Sequence, residues 1–307
     1  MRLLCVVCIM TVILGCHTEE KETTTKGNLH IFIPESIAPV MIDEVNEFLN
    51  LYQANGAYIT DTIVSAETAA RHFVMDTARI AFLPRSLTQT EKEQVKIISA
   101  SLNEVIVAYD GIVAVVHPKN TVVEMTTTEI QKILSGKITR WEQLAKPMKG
   151  TIKIYCQDSS DASEYLKQRL LKQAGISAIF TRTSSDIQTL RSVEKDPYAI
   201  GFAALVWIDS VKSDAKILSL GRTSEDTDTA FTTPAEALRK FFSPHPANIY
   251  RNYYPLKRAI YMYTRGPVTL ATGFGTYVAT SEGQKLFLKR GLLPGTQKIK
   301  LRSSQPE

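Results

Sequence analysis

The sequence predicts an α/β fold, and three observations predict it. From Asn28 onward, short β-branched runs alternate with segments of helical periodicity. A Thr followed three residues later by Glu, at Thr126/Glu129 and again at Thr139/Glu142, is a helix-start signature inserted between such runs. The chain has 307 residues, 44% hydrophobic and 22% charged, enough for one or two domains that each bury a core.

The elements follow in order. Leu29 to Ile33 is a strand, stopped by Pro34. The next segment carries Met41, Val45, Phe48, Leu49 and Tyr52 on one helical face, and Gly56 stands where a C′ glycine ends a helix. Tyr58 to Val64 reads as strand, Ala66 to Met75 as a short helix and Arg79 to Leu83 as strand. Ile97 to Ser101 and Val105 to His117 supply more strand, with a turn or bend at Asp110-Gly111. The Thr126 box opens a helix through Ile130, Ile133 and Leu134, closed by Gly136, and the Thr139 box opens a shorter one carrying Trp141. Ile152 to Tyr155 is strand, Glu164 to Lys172 helix ending before Gly175, and Ala199 to Trp207 a buried strand. Ala259 to Thr264 is a late strand, and one last helix is expected over about Thr269 to Arg290, weakened by Gly273 and Gly275.

A formal charge of +5 is small for this length, and Lys and Arg are scattered among acidic residues rather than collected on one face. Nucleic acid is therefore not an expected partner.

The N-terminus differs from the rest. Arg2 is followed by Leu3 to Gly15 without a charged residue, too short to span a bilayer comfortably but suited to a signal-peptide core. Ile13-Leu14-Gly15-Cys16 resembles the bacterial lipobox, which implies cleavage before Cys16 and lipid on its sulfur. The expected organisation begins with a leader over 1–15 and a polar, flexible tether over 16–27. Of four Cys, only Cys156 would remain in the folded part, so no internal disulfide is expected.

Most chemical motifs are missing. The five His have no metal-ligand spacing, and there is no GxSxG elbow, phosphate-cradling GxxxxGK loop or dinucleotide fingerprint. Cys156 reads as a small hydrophobe. No metal, no cofactor and no enzymatic activity are expected. What does recur is Ser at three strand-to-helix corners: Ser36, Ser65 and Ser160. At such a corner, free N–H groups and the positive end of the helix dipole point the same way, and a hydroxyl completes an oxyanion site. Each Ser also serves as an ordinary helix N-cap. Convergence on one cleft separates the two roles.

Longer segments carry a family likeness. DGIVAVVHPKN (110–120), TTTEIQKILSGKITRWEQL (126–144), PRSLTQTEKE (84–93), YAIGFAALVWI (198–208), YPLKRAIYMYTRGP (254–267) and ATSEGQKLFLKRGLLP (279–294) resemble the phosphate-binding proteins of bacterial ABC transporters. The resemblance covers most of the mature chain. It implies a type II periplasmic-binding-protein fold, with lobe I from 28–108 plus 256–307, lobe II from 109–255, and ligand in the cleft between them. The crossings would fall near Val105 to Asp110 and near Tyr254 to Lys257. It also implies a monomeric extracytoplasmic receptor, lipid-anchored to a bacterial membrane on its periplasmic or cell-surface face, passing phosphate or another small oxyanion to an ABC permease.

The ligand residues carry over less completely. Ser36 and Ser65 match the family's first two donor corners. Ser160 matches the Ser of an S-G-T turn, and Asp161 and Ala162 replace its Gly and Thr. The family Asp that accepts the phosphate proton falls on Arg79, and the family Arg on Cys156 or Gln157. Micromolar binding is about −8 kcal/mol, and loss of one buried charge partner costs about 2 to 5 kcal/mol. Two roles stay open for Arg79: the main cation for the anion, or a partner of Asp161 across the cleft. Asp161 also has an innocent role, a D-x-x-E capping box with Glu164. The candidate set is therefore Ser36, Ser65, Arg79, Ser160, Asp161 and Ala162, with Cys16 for lipid. A second reading keeps the fold but replaces phosphate transport with protein contacts or a different ligand.

Overall fold

The computed structural model describes residues 21–99, 101–172, 176, 180–223 and 233–297. Cys16, the leader and Gly175 lie outside the described residues.

Strand β1 (Gly27–Pro34) alternates exposed and buried residues and pairs in parallel with β2 (Ala57–Val64), from Gly27↔Ala57 to Pro34↔Val64. The parallel pairing needs a crossover, supplied by α1 (Ala38–Tyr52), which has Pro39 in its first turn and buries Met41, Val45 and Phe48. The chain then reverses at Gly56, whose φ of 93° is left-handed. Helix α2 (Ala66–Val74) is capped by Ser65, whose hydroxyl accepts from the Thr68 N–H, and leads to β3 (Ile80–Leu83). Helix α3 (Gln89–Ile98) replaces the strand expected at Ile97: Thr88 and Glu91 form a capping box that the β-branched residues at its end obscured.

Strand β4 (Leu102–Val116) is continuous through Asp110-Gly111, where the sequence suggested a turn. What changes there is the partner. Leu102 to Gly111 pair with β12 (Lys257–Arg265), and Ile112 to Val116 pair with β8 (Ala199–Ala204), both antiparallel. The stretches where crossings are expected, Val105 to Asp110 and Tyr254 to Lys257, lie within β4 and reach the start of β12.

Beyond β4 come β5 (Glu124–Thr126) and α4 (Thr127–Leu134), the latter opened by the expected Thr126/Glu129 box. Trp141 lies in a short 3-10 turn, where Gln143 rather than Glu142 accepts the Thr139 and Arg140 N–H groups. Strand β6 (Lys153–Cys156), α5 (Asp161–Leu170), β7 (Phe180–Arg182) and α6 (Asp186–Lys195) follow, leading into β8. The buried strand expected to reach Trp207 ends at Ala204, and α7 (Val206–Ser210) takes over. Short strands β9 (Lys216–Ile217), β10 (Ser219–Gly221) and β11 (Phe241–Phe242) precede α8 (Pro246–Tyr250) and β12. The long last helix is two, α9 (Leu270–Ala279) and α10 (Ser281–Lys289), broken at Thr280, before β13 (Leu293–Pro294). The main sheet runs β3-β12-β4-β8-β6-β7, with β13 and β9 also on β4.

Helix α9 carries Gly273 because other backbone presses on it, and Gly275 where the Met262, Ile80 and Thr264 side chains pack close. A Cβ at Gly273 would stand 1.8 Å from the Thr24 carbonyl oxygen. Residues 21–27 thus pack on the body, where a free tether was expected: Thr23 and Lys26 form a bridge, and Glu22 accepts from the Leu270 N–H at 3.2 Å. Phe274 of the same helix is fully buried edge-on to Phe48 and Phe82, joining α1, α9 and β3 in one core.

Candidate functional site

Three corners of this fold meet. Ser36 follows β1, Ser65 follows β2 and Ser160 follows β6, and all three line one cavity of about 90 Å³. Strands β1 and β2 are parallel neighbours, so their following corners emerge at the same end of that sheet, where open α/β folds hold ligands, and β6 of the main sheet brings Ser160 to them. Glu35, Gln157, Ser159, Asp161 and Asp186 complete the lining.

The three Ser do different work. Ser65 and Ser160 are helix N-caps, accepting from the Thr68 and Ser163 N–H groups, each at 3.1 Å. Ser36 has no capping bond. It is buried and donates its hydroxyl to Asp161 Oδ2 at 2.6 Å. The other carboxylate oxygen of Asp161 accepts the Ala66 N–H, at the first residue of α2, at 3.2 Å. Residues 125 and 95 positions apart are thereby joined through one carboxylate.

The D-x-x-E box expected at Asp161 does not form. Ser160 is the cap of α5, and Glu164 binds Lys167 at 2.8 Å instead. The Asp161 side chain is therefore free to leave its own helix. It sits at the positive end of α2, where a negative charge is stabilised.

Arg79 is not part of this group. Its side chain is 51% exposed and pairs with Glu22 at 3.3 Å, so neither expected role, cation of the cleft or partner of Asp161, is met. Arg79 immediately precedes β3, and no register argument from sequence could tell that its side chain leaves the cleft. Ala162 is buried in the core and does not line the cavity. Cys156 is buried as well, and desolvation pushes its thiol up to about 12, which makes it an inert hydrophobe.

Two acidic residues were missed. Glu35 accepts from Gln157 Nε2 at 3.3 Å and from the Asp186 N–H at 3.4 Å, while its carbonyl accepts from Trp207 Nε1. Asp186 is 2% exposed and accepts the Ala204 N–H with Oδ2, but Oδ1 has no partner. Burial, with the negative charges of Glu35 and Asp161, pushes its carboxyl up to about 7, against the Ala204 N–H and the charge of Arg258. The signal for it was present: Ser185 and Gln188 form an S-x-x-Q start, and Ser185 caps α6 by accepting from the Gln188 N–H. Because α6 was not read as a helix, Asp186 was not a candidate.

Among the described residues, three carboxylates and no Lys or Arg line the cavity. An adjoining cavity of about 430 Å³ shares Ser65, Ser159 and Asp161 and is lined by Arg85, which is held by Glu91 at 2.8 Å. No group of His, Cys, Asp and Glu among the described residues is arranged to hold a metal ion.

Residues 18–282 match the model of the PBP superfamily domain. The chain belongs to the PBP superfamily. Its relatives include the phosphate-binding protein PstS of Borreliella burgdorferi, 24% identical over 228 residues, which is 70% of this chain and 72% of that protein. Among solved structures, a substrate-binding protein with bound phosphate from Clostridium perfringens superposes with a TM-score of 0.68 at 19% identity, covering 87% of this chain and 99% of that one. An ABC-type phosphate transport receptor from Vibrio cholerae gives 0.64 at 19% identity, covering 86% and 99%. This PBP-superfamily chain therefore has the periplasmic-binding-protein fold, and its relatives include phosphate-binding proteins of ABC transporters. No helix among its described residues is long and apolar enough to cross a membrane.

Proposed function

We propose that the chain is a lipid-anchored extracytoplasmic solute-binding protein, not an enzyme, that takes phosphate or a related oxyanion and delivers it to an ABC permease. Lobe I is formed by 28–108 and 256–307, lobe II by 109–255, and the protein works as a monomer. One observation carries the reading: Ser36 and the Ala66 N–H, on corners after two parallel strands, already hold a carboxylate between them. A carboxylate is an oxyanion, so this donor set suits oxyanions by its own chemistry. The phosphate-binding names of the relatives point the same way.

A second reading rests on the charges. Glu35, Asp161 and Asp186 face the cavity with no cationic side chain lining it. That balance favours a receptor that has given up phosphate transport and acts through protein contacts or on another ligand. Calorimetry of the full-length protein in mild detergent with phosphate, sulfate and molybdate decides between them. Micromolar binding of any of the three supports the first reading, and no heat from any of them at millimolar concentration supports the second.

The anchor is tested separately. Replacing Cys16 by Ser should abolish metabolic labelling with palmitate. Labelling that continues in Cys16→Ser would remove the anchor from the proposal.

A further inference from the structure

The Ser36–Asp161–Ala66 contact is not needed to cap the helix that carries Asp161. Helix α5 is capped by Ser160, and the Ser163 hydroxyl and N–H are satisfied by Gln157, Asp158 and Ser160. The Asp161 carboxylate instead reaches the cleft and takes one hydroxyl and one helix-terminal N–H from two other corners. Donors of this kind form charge-assisted bonds to an anion, the stronger class of hydrogen bond. In the same cavity the buried Oδ1 of Asp186 has no hydrogen-bond partner.

We infer that Asp161 is a tethered oxyanion: its carboxylate occupies the donors that an incoming phosphate needs, and the ligand binds only by displacing it. This rests on the oxyanion reading of the cleft. The consequence is a built-in competitor. A group held on the same chain acts at an effective concentration of about millimolar or more, however dilute the protein. If the donors are free only about a tenth of the time, apparent affinity falls about tenfold. The carboxylate charge adds repulsion when the anion approaches. Asp161 thus sets the affinity of the site, and any ligand that cannot compete for both donors is turned away.

Acetate is the untethered equivalent of the Asp161 side chain, so chemical rescue tests the inference apart from phosphate. Full-length wild type, Asp161→Gly and Asp161→Asn would be titrated with sodium acetate and with inorganic phosphate, with circular dichroism to verify folding. Asp161→Gly is expected to bind acetate at millimolar concentrations where wild type gives no signal, and to bind phosphate at least about tenfold more tightly than wild type. Adding Ser36→Ala to that background should lower acetate binding again. Asp161→Asn removes the charge but keeps the shape, and should also strengthen phosphate binding; it carries the test if Asp161→Gly does not fold. Acetate rescue without phosphate binding upholds the tethered oxyanion and defeats the phosphate reading. Equal phosphate affinity in wild type and the variants overturns the tethered oxyanion and leaves the phosphate reading standing. A folded Asp161→Gly that binds neither ion overturns the inference.

Discussion

Asp110 on β4 and Arg258 on β12 are a register pair whose side chains meet at 2.7 Å, 0% and 2% exposed. Asp110 Oδ2 accepts from both Nε and Nη2 of Arg258, and Oδ1 accepts from the Gly111 N–H. The pair lies where β4 exchanges β12 for β8. Burial pushes the Asp110 carboxyl up, against the opposing pull of Arg258, and the same guanidinium pulls the Asp186 carboxyl of the cleft down. One cation therefore acts on both the partner exchange of β4 and the candidate site.

Removing that cation should cost far more than a surface pair. Arg258→Met leaves Asp110 buried without its partner, a change that typically costs about 3 to 5 kcal/mol. Urea unfolding of wild type and variant measures it. A loss below about 1 kcal/mol would mean that water or a rearranged partner replaces the guanidinium.

Arg79 should behave in the opposite way. It is half exposed, and its pair with Glu22 is of the kind worth about 0 to 1 kcal/mol. Arg79→Ala should leave phosphate and sulfate titrations unchanged and shift the melting temperature only slightly. A tenfold change in anion affinity would show that Arg79 reaches the cleft in the bound protein.

The contrast between Arg79 and Ser36 shows how far sequence carries here. Alternation of period and capping boxes gave β1, α1, β2, α2, β4, α4 and β12 within a few residues, because each is decided by local burial pattern or by a local cap. Ile97-Ile98 misled, since β-branched residues at the end of a capped helix look like the start of a strand. The split of α9 from α10 was hidden too: Thr280 turns extended, with ψ of 170°, and its hydroxyl donates to the Tyr277 carbonyl, and neither Gly273 nor Gly275 marks that place. At the site, the three Ser corners were legible because a Ser between strand and helix has a fixed local geometry. The destination of the Asp161 side chain was not, since whether it caps α5 or reaches across to Ser36 depends on residues 125 positions away. Asp186 escaped with the unrecognised helix that carries it.

Glu44 on α1 is buried, and neither of its carboxylate oxygens has a partner. Burial, with the neighbouring charge of Asp43, pushes its carboxyl up to about 9. The native state thus holds this group neutral at pH 7, while the unfolded chain ionises it near its ordinary value of about 4.3. The contribution is fully present below about pH 4 and is lost as pH rises toward 9, roughly 4 kcal/mol of it by pH 7. Glu44→Gln should be more stable than wild type at pH 8 and lack this part of the pH dependence. Urea unfolding at pH 5 and pH 8 tests it, and parallel pH profiles for the two proteins would refute it.

Asp186 ties pH to binding. Its carboxyl, raised to about 7, is half protonated at neutral pH and faces the cavity with Glu35 and Asp161. Above pH 7 it adds a third negative charge and its unpartnered Oδ1 can only accept; below pH 7 the group is neutral and its proton can be donated to an anion. Oxyanion binding should therefore strengthen as pH falls from 8 to 6, by up to about tenfold per unit on the alkaline side. Sulfate is the probe of choice, because its own charge is constant over that range. Asp186→Asn should hold sulfate at the acidic-limit affinity throughout and show a flat profile. The stability of wild type carries the same sign: the folded value lies above the unfolded value of about 3.9, so the contribution is complete below about pH 4 and is lost as pH rises through 7. Carbon-13 NMR of the labelled carboxyl reads the titration directly, whether or not an anion binds. An Asp186 that titrates near 4 in the folded protein, or a sulfate profile left unchanged by Asp186→Asn, would take the pH control away from this residue.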